Sequence, residues 1–340
     1  MRAIRIDGQT PGGVRTPLVQ VLPLDTPFIV QIFPVYGCNF KCNYCIHSVP
    51  VGKRNFISEK ALMDFSVYKK CIDDLCEFPQ KLKMLRFAGT GEPLLHKDIA
   101  KMVEYAAIKQ VAASIDIVTN GALLTPELSR ELINAGLSRI RVSIQGVDSF
   151  KYYQTTGAEF DFGKFVDNLT YFYQDRGRTK MYIKIIDCAL DEDDEDKFLG
   201  IFGDICDHIA IEHLLPAVSQ IDYAALAKDV QQGLTQNGVQ VQPAEVCPQP
   251  FYLMQINPEG NVVPCCAMET ACIMGNCREE SLLSIWGGKK YDEFRQKQLL
   301  KQKDFYPVCK KCQQYKYSMF QEDILDNDAD KLLKYYNRED

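Results

Sequence analysis

The fold of this chain is set by residues 28–45, which read FIVQIFPVYGCNFKCNYC. The first part, residues 28–36, is rich in β-branched and aromatic side chains, a composition that favours a buried strand. Cys38, Cys42 and Cys45 follow directly, so they occupy the loop after this strand. The stretch therefore predicts a strand that carries three closely spaced thiols to the carboxyl end of a sheet.

Further strand-like segments follow, separated by amphipathic helical stretches, and this alternation predicts βα units around a parallel sheet. They are residues 83–88, 114–119, 139–144, 181–187 and 208–213. Together with residues 28–36 they make six units, fewer than the eight of a closed barrel. We therefore predict an α/β fold whose core, residues 1–214, is a partial (β/α)6 TIM-like barrel.

After residue 214 the pattern changes, which predicts a second domain over residues 215–340. This part has a Gln-rich stretch at residues 231–242 and a turn sequence, Pro-Glu-Gly-Asn, at residues 258–261 that is typical of a hairpin. Helical periodicity returns at residues 281–300 and 313–336. We expect a small α+β domain here.

Composition limits the class of protein. Among 340 residues, 39 are Lys or Arg and 45 are Asp or Glu, and the net charge of −6 argues against a nucleic-acid partner held by phosphate contacts. No apolar run approaches the roughly eighteen residues of a membrane span, and the first residues lack the apolar core of a signal peptide. We predict a cytoplasmic protein that contacts no membrane.

The 14 cysteines of this chain, with CxxC spacings and no secretion signal, indicate metal binding rather than disulfides. The thiolates of Cys38, Cys42 and Cys45 can hold three irons of a [4Fe–4S] cluster and leave the fourth iron open. A closed structural site would normally use four ligands. The first group of cysteines therefore predicts an open cluster that binds an outside ligand.

The spacing CxxxCxxC, with the aromatic Tyr44 before Cys45, resembles the loop of the radical S-adenosylmethionine (radical SAM) superfamily. The resemblance implies that the open iron binds the amino and carboxylate groups of S-adenosylmethionine. It implies further that one electron from the cluster cleaves this cofactor to a 5′-deoxyadenosyl radical, which abstracts hydrogen from a substrate. A reductant such as flavodoxin or ferredoxin would supply the electron.

A second match to this superfamily follows the next strand-like segment. Residues 87–93, FAGTGEP, resemble the GGEP motif that holds the amino group of the cofactor's methionine part. Gly91 allows close backbone approach, and Glu92 offers an acceptor for an ammonium group. Thr90 replaces the first glycine of the motif, so its contact would be made by the backbone.

Two shorter matches lie at the ends of the following strand-like segments. Thr119-Asn120-Gly121 resembles the TNG turn of the superfamily, although Asn-Gly is also an ordinary turn sequence. Ser143 resembles a strand residue that contacts the ribose or the carboxylate of the cofactor. Gln145 stands where many relatives have Asp. With Tyr44, these residues complete the predicted cofactor contacts.

The second group of cysteines comprises Cys247, Cys265, Cys309 and Cys312. Four thiolates form a closed site, and structural zinc satisfies the spacing as an iron–sulfur cluster does. The order Cys, Gly-x4-Cys, CxxC resembles the SPASM and twitch extensions of radical SAM enzymes, in a one-cluster form. The resemblance implies an auxiliary [4Fe–4S] cluster that moves an electron or supports the fold.

Asp187 and Cys188 end the fifth strand-like segment, at the expected mouth of the barrel. Asp187 is a candidate general base for a substrate hydroxyl, and Cys188 is a candidate hydrogen donor, although a structural role is open for both. Three further cysteines lie near the second group, where one could replace Cys265 or face the substrate. They are Cys266, Cys272 and Cys277.

The leading functional hypothesis is a radical SAM oxidoreductase, a dehydrogenase or epimerase, acting on a small hydroxylated substrate such as a sugar or cyclitol. It rests by analogy on the one-cluster form of the extension and on the expectation that no N-terminal segment is left over to bind a leader peptide. Modification of a ribosomally made peptide or of a protein is the second hypothesis. A non-catalytic iron–sulfur redox protein is the third.

Overall fold

A computed structural model of the protein describes residues 1–6, 15–226 and 233–337. Both predicted domains, residues 1–214 and 215–340, therefore contain residues outside these ranges, and so does the Gln-rich stretch, through residues 231 and 232. None of the described helices is both long enough and apolar enough to span a membrane.

The described strands form one sheet in the order β1-β7-β6-β5-β4-β3-β2-β8-β9-β10. The strands are β1 (Ile4–Arg5), β2 (Ile29–Ile32), β3 (Met84–Phe87), β4 (Ile115–Thr119), β5 (Arg139–Ile144), β6 (Lys180–Ile186), β7 (His208–Glu212), β8 (Leu253–Ile256), β9 (Asn261–Val263) and β10 (Gly275–Asn276). All pairings from β1 to β8 are parallel, whereas β9 and β10 pair antiparallel. The six strands expected from the sequence are thus present, and the α/β fold is confirmed.

Helices follow most of the parallel strands, as the alternating sequence pattern predicts. In the described parts they are α1 (Phe65–Leu75), α2 (Ile99–Lys109), α3 (Pro126–Asn134), α4 (Ser149–Thr156), α5 (Phe162–Asp175), α6 (Asp194–Phe202), α7 (Tyr223–Leu226), α8 (Leu282–Trp286), α9 (Lys289–Leu299), α10 (Pro307–Lys311), α11 (Gln314–Ser318) and α12 (Ala329–Tyr336). Short 3₁₀ turns lie at strand ends, among them Ile46–Ser48, Pro93–Leu95 and Asp187–Ala189.

Alternate residues of the parallel strands point to opposite faces of the sheet. Leu85 and Phe87 of β3, like Ile140 and Val142 of β5, belong to the apolar core that the helices cover. The residues between them point to the inner side of the curved sheet. Apolar burial therefore fixes the outer face, and the inner face is left for polar side chains.

The sheet has two parallel strands that the sequence did not indicate. β1 pairs with β7 at one side, and β8 pairs with β2 at the other. The side chain of Gln31 on β2 donates to Gln255 on β8 over 2.6 Å in the interior. The second part of the chain therefore shares a sheet with the first, although the domain boundary itself stays a prediction. The expected hairpin is the β8–β9 pair, where Gly260 turns with φ +90°.

Candidate active site

The cysteine loop, residues 38–45, leaves the carboxyl end of β2 and is held by backbone hydrogen bonds. The N–H groups of Lys41 and Asn43 donate to the carbonyls of Thr156 and Thr155 at the end of α4, over 3.1 and 2.9 Å. Cys45 begins the turn Ile46–Ser48. The loop is thus fixed to the barrel through β2 at its start and through the end of α4, without a contribution from any ligand.

The three thiols of this loop lie close enough to influence one another. Burial, and then the neighbouring Cys45 and Cys38, raise the pKa of Cys42 above its usual range. Burial raises the pKa of Cys38 to about 11, against a backbone hydrogen bond from Phe40 that lowers it. Three half-buried thiols within one short loop fit in number the cluster predicted from the sequence, because each thiolate can hold one iron.

Asn120 joins the end of β4 to the cysteine loop. Its side-chain Nδ2 donates to Asn39 Oδ1 over 2.8 Å and lies 3.7 Å from the Sγ of Cys38. The next residue is Gly121, with φ +74°. A glycine suits this position because a Cβ there would lie 2.9 Å from the side chain of Val142. The Thr-Asn-Gly sequence therefore forms a turn that contacts the predicted cluster ligands.

The loop after β3 packs against the backbone that leads into the cysteine loop. A Cβ on Gly91, at φ +155°, would lie 2.0 Å from the carbonyl oxygen of Val35. The N–H of Glu92 donates to the carbonyl of Gly37 over 2.8 Å. Only glycine allows this approach, which brings Thr90 and Gly91 beside the predicted cluster.

The carboxylate of Glu92 is buried and already accepts three hydrogen bonds within the protein. Its oxygens accept from Thr119 Oγ1 over 2.6 Å, from the N–H of Asn120 over 2.8 Å and from the N–H of Leu94 over 2.9 Å. Burial raises the pKa of Glu92, and these donors oppose the rise. The carboxylate therefore links the loop after β3 to the end of β4 through hydrogen bonds. The sequence alone did not predict this role.

Tyr44 spans the mouth of the barrel. Its hydroxyl donates to the side-chain oxygen of Gln145, which follows β5. Its backbone carbonyl accepts from the hydroxyl of Tyr223 over 3.0 Å. Ser143, half-buried in β5, lies on the same strand as this contact, and its carbonyl accepts from Gln145 Nε2 over 3.2 Å. Tyr44 and Ser143, both predicted from sequence, thus lie at one end of the barrel.

Asp187 and Cys188 form the turn after β6. Asp187 Oδ1 accepts from the N–H of Cys188 over 2.8 Å and of Leu214 over 3.0 Å, and its Oδ2 lies 2.9 Å from His213 Nδ1. Cys188 is close enough to Tyr44 to raise the pKa of its hydroxyl, after the larger effect of burial. The turn therefore brings Cys188 toward the cysteine loop, with Asp187 as its support.

The four cysteines of the second group line a single cavity, which we call the auxiliary cavity. Cys247 precedes β8, and Cys265 lies two residues beyond Val263, which pairs with Gln255 of that strand. Since β9 runs antiparallel, both cysteines lie at the amino ends of the parallel strands. Cys309 and Cys312 reach the cavity from α10 and its end. The two cysteine groups therefore occupy opposite ends of the barrel.

Burial within the auxiliary cavity acts on the thiols as it does in the cysteine loop. Burial, followed by Cys312, raises the pKa of Cys309 to about 12 and raises that of Cys247 further. Gln298 also lines the cavity, close to Cys309. Four half-buried thiols that line one cavity match in number the ligands of a fully ligated cluster.

The three remaining candidates near this group have other surroundings. Cys266 lies beside Gln249, whose Oε1 is 3.6 Å from its Sγ. Cys272 lies 3.7 Å from the carbonyl of Ile273. Cys277 is buried against Cys71, with 3.3 Å between the sulfur atoms. These three do not belong to the described lining of the auxiliary cavity.

The inner face of the barrel carries charged side chains that sequence reasoning missed. Arg86 of β3, Arg141 of β5 and Lys184 of β6 all occupy inward positions. The available signal was their presence within strands otherwise composed of apolar residues, since buried parallel strands usually read as continuous apolar runs. Their direction needed the strand register, which the structure supplies.

Comparisons with known proteins agree with this arrangement. The model of the radical SAM superfamily matches residues 32–196, and that of the SPASM iron–sulfur cluster-binding domain matches residues 247–313. The second match encloses all four cysteines of the auxiliary cavity. It favours iron–sulfur over the structural zinc that spacing alone left open.

Three similar proteins illustrate the range of relatives. The tungsten-containing aldehyde ferredoxin oxidoreductase cofactor-modifying protein of Pyrococcus furiosus is 25% identical over 315 residues, 81% of this chain and 84% of that protein. BtrN, in complex with AdoMet and 2-DOIA, is 21% identical with a TM-score of 0.52, over 84% of this chain and 92% of BtrN. SuiB of Streptococcus suis, bound to S-adenosylmethionine, is 16% identical with a TM-score of 0.60, over 82% of this chain and 70% of SuiB.

The likeness to BtrN and SuiB concerns the fold alone. The cofactors follow from the two matched domains: S-adenosylmethionine, one [4Fe–4S] cluster that binds it, and one or more auxiliary clusters. With a matched barrel, a matched extension and cysteines at both ends of the barrel, the chain belongs to the radical SAM superfamily and carries a C-terminal SPASM-type domain.

Proposed function

We propose that this enzyme abstracts a hydrogen atom from a carbon of a small hydroxylated substrate, such as a sugar or cyclitol, and yields an epimer or a ketone. The observation that carries the proposal is the position of the Cys188 thiol, in the turn at the carboxyl end of β6, where its backbone N–H donates to Asp187. When bound, S-adenosylmethionine and the clusters supply a 5′-deoxyadenosyl radical and carriers for single electrons. The remaining contributions come from the chain's own residues.

We assign the cluster that binds S-adenosylmethionine to Cys38, Cys42 and Cys45, on a loop held by α4. One auxiliary cluster is assigned to the four cysteines of the auxiliary cavity. In this division residues 1–214 bind the cofactor and residues 215–340 hold the auxiliary cluster. A reductant such as flavodoxin or ferredoxin supplies the electrons. The cytoplasmic location expected from the sequence stays a prediction.

The remaining cofactor contacts are assigned to residues around the cysteine loop. They are Tyr44, Thr90, Gly91, Asn120 and Ser143. Thr90 and Gly91 would contribute backbone atoms, because their loop approaches the cysteine loop without side-chain bulk. Glu92 is a positioning residue in this assignment, since its carboxylate holds Thr119 and Asn120 in place.

Cys188 is assigned the role of hydrogen donor. Burial, followed by the neighbouring carboxylate of Asp187, raises the pKa of Cys188 to about 12, so the thiol keeps its hydrogen at neutral pH. Transfer of that hydrogen atom to a substrate carbon radical from the opposite face gives an epimer and leaves a thiyl radical on Cys188, which one electron from the reductant and one proton from solvent return to the thiol. Asp187, held by two N–H groups and His213, positions this thiol. Oxidation to a ketone is the alternative outcome, in which Asp187 would take the hydroxyl proton and the remaining electron of the substrate radical would pass to a carrier such as the auxiliary cluster.

A small substrate is supported by the Pyrococcus furiosus relative reported above, whose name describes a cofactor-modifying protein. Its similarity extends over most of both chains. Peptide modification remains the alternative to be tested, because the fold is shared with SuiB.

The enzyme class is tested by anaerobic reconstitution followed by dithionite and S-adenosylmethionine. We expect release of 5′-deoxyadenosine and about eight irons per chain, the content of two [4Fe–4S] clusters. Normal iron loading without 5′-deoxyadenosine would contradict catalysis and favour a redox protein.

The role of Cys188 is tested in heavy water with the natural substrate or a pool of small polyols. Wild-type enzyme should place deuterium on a product carbon, since the thiol exchanges with solvent, and Cys188→Ser should remove this label while 5′-deoxyadenosine is still formed. Unlabelled ketone from both proteins would instead assign the reaction to oxidation.

A further inference from the structure

The inner face of the barrel carries more positive than negative charge. Residues that alternate with the apolar core positions of β3 to β7 point inward. The charged ones among them are Arg86, Asp116, Arg139, Arg141, Lys180, Lys184 and Glu212. Lys180, at the exposed start of β6, pairs with Asp207 outside these strands. The other four cations therefore face two carboxylates. His208, also inward, adds little charge, because burial lowers its pKa.

Both carboxylates already have partners. Asp116 Oδ2 lies 3.5 Å from Arg139 Nη1, and its Oδ1 accepts from Ser114. Glu212 pairs with Lys184, and it also accepts from the hydroxyl of Tyr182 over 2.9 Å. These contacts account for one cation per carboxylate.

Arg86 and Arg141 lack a close counter-ion in the described parts of the chain, because the charges of Asp116 and Glu212 act on them only from beyond ion-pair distance. Neither forms an ion pair within the described parts of the chain, and the buried Nε of each lacks a hydrogen-bond acceptor there. The nearest acceptor recorded for Arg86 is the thioether of Met84, 2.9 Å from Nη2. Arg141 is 8% exposed and lies over the ring of Tyr182, 4.7 Å from its centroid.

The two guanidinium groups also repel each other. Burial, followed by the charge of Arg141, lowers the pKa of Arg86 to about 10. Unpaired buried charges are strongly unfavourable, and like charges at close range add to the cost. A protein retains such a pair where a ligand completes it, because two guanidinium forks match the oxygens of a phosphate or carboxylate.

The location suits a substrate. Arg141 lies two residues before Ser143 on β5, toward the amino end of the strand. Arg86 lies close enough to Cys266 for this thiol to affect the pKa of the guanidinium. Cys266 follows the auxiliary ligand Cys265, so the arginines lie between the two cysteine groups. A molecule held there by one end would present its other end toward the mouth of the barrel.

We propose that Arg86 and Arg141 bind a phosphate group, and that the substrate is a phosphate ester of a polyol. The excess of two positive charges on the inner face matches a dianion better than a single carboxylate. This inference rests on the proposed function, because it names the chemical class of the substrate that the radical attacks.

The test uses reconstituted holoenzyme and inorganic phosphate, measured by anaerobic equilibrium dialysis at about pH 8, where phosphate is doubly charged. We expect one saturable site per chain in the wild type. Arg86→Gln and Arg141→Gln should each weaken binding about tenfold or more, because each removes a charge-assisted hydrogen bond. Arg5→Gln is the matched control, since it removes an exposed Arg that pairs with Glu195, and it should bind phosphate as the wild type does.

Several outcomes would overturn the proposal: no saturable phosphate binding, equal weakening by Arg5→Gln, or acetate bound as tightly as phosphate. Thermal unfolding in phosphate-free buffer is a second readout. Removing an unpaired charge should leave the melting temperature equal or raise it, whereas a clear decrease would assign the arginines to the fold. Lower iron content in either variant would assign them to the auxiliary cluster.

Failure of this inference and failure of the proposed function are distinguishable. Phosphate binding needs no reductant and no S-adenosylmethionine, whereas release of 5′-deoxyadenosine by the wild type needs both. Phosphate binding without 5′-deoxyadenosine would leave the site standing and remove the proposed reaction. Release of 5′-deoxyadenosine without phosphate binding would contradict only the inference that the substrate is a phosphate ester.

Discussion

The two cysteine groups differ in how the chain builds them. The first lies within eight consecutive residues, 38–45, on a loop at the carboxyl ends of the strands, with Asn120, Thr90 and Tyr44 around it. The second gathers residues from 247 to 312 around one cavity at the amino ends. An open iron suits the first and a fully ligated cluster suits the second. The comparison indicates that the number of protein ligands distinguishes the proposed reactive site, with three, from the proposed supporting site, with four.

The largest expected effect comes from removing a ligand of the open site. Cys42→Ala should abolish release of 5′-deoxyadenosine, because two thiols cannot hold the cluster that binds the cofactor. The assay is product analysis after dithionite reduction. Cys76→Ala, which removes an exposed cysteine at the end of α1, is the control and should retain activity. Activity in Cys42→Ala would break the distinction between the two groups.

Removal of an auxiliary ligand should have a smaller and different effect. Cys312→Ala should lower iron from about eight to about four per chain, while the cysteine loop still supports formation of 5′-deoxyadenosine. Iron analysis and product analysis on the same sample check this. Complete loss of 5′-deoxyadenosine with four irons retained would show that the closed site takes part in cofactor cleavage.

Gly91→Ala tests the close approach beside the cysteine loop. Its Cβ would lie 2.0 Å from the carbonyl of Val35 at φ +155°, so we expect a loss of about 2–4 kcal/mol in the free energy of unfolding. Gly157→Ala is matched, because Gly157 has φ +69° with nothing near its Cβ position, and should cost about 1 kcal/mol. Denaturant unfolding measures both, and equal losses would remove the argument for close approach.

Asn120→Ala should have the smallest effect. It removes the hydrogen bond to Asn39 and the contact with Cys38, so we expect release of 5′-deoxyadenosine to fall about three- to tenfold, in line with the loss of one hydrogen bond. Iron content should remain normal. Loss of iron would mean that Asn120 holds the loop rather than tunes it.

Much of the barrel could be predicted because its signals are local. Strands β2, β4 and β5 are rich in β-branched residues. The cysteine loop comes after β2, the Thr-Asn-Gly turn begins at the last residue of β4, and Ser143 lies near the end of β5. The roles of Arg86 and Arg141 could not be read, because the direction of a strand side chain depends on register. The three donors to Glu92 come from separate segments, so only the fold reveals that its carboxylate is a brace.

The pairing of β8 with β2 was also hidden, since residues 253–256 give no sign of the strand that they join. The hydrogen bond from Gln31 to Gln255 links positions 224 residues apart. Such long separations raise contact order and slow folding. β8 lies between Cys247 and Cys265 in the sequence. This side of the barrel therefore forms only after most of the chain is available. Metal binding at these auxiliary cysteines should therefore stabilise this side of the barrel, because the metal binds the folded state. We expect cluster loading to set the rate and yield with which the folded enzyme forms.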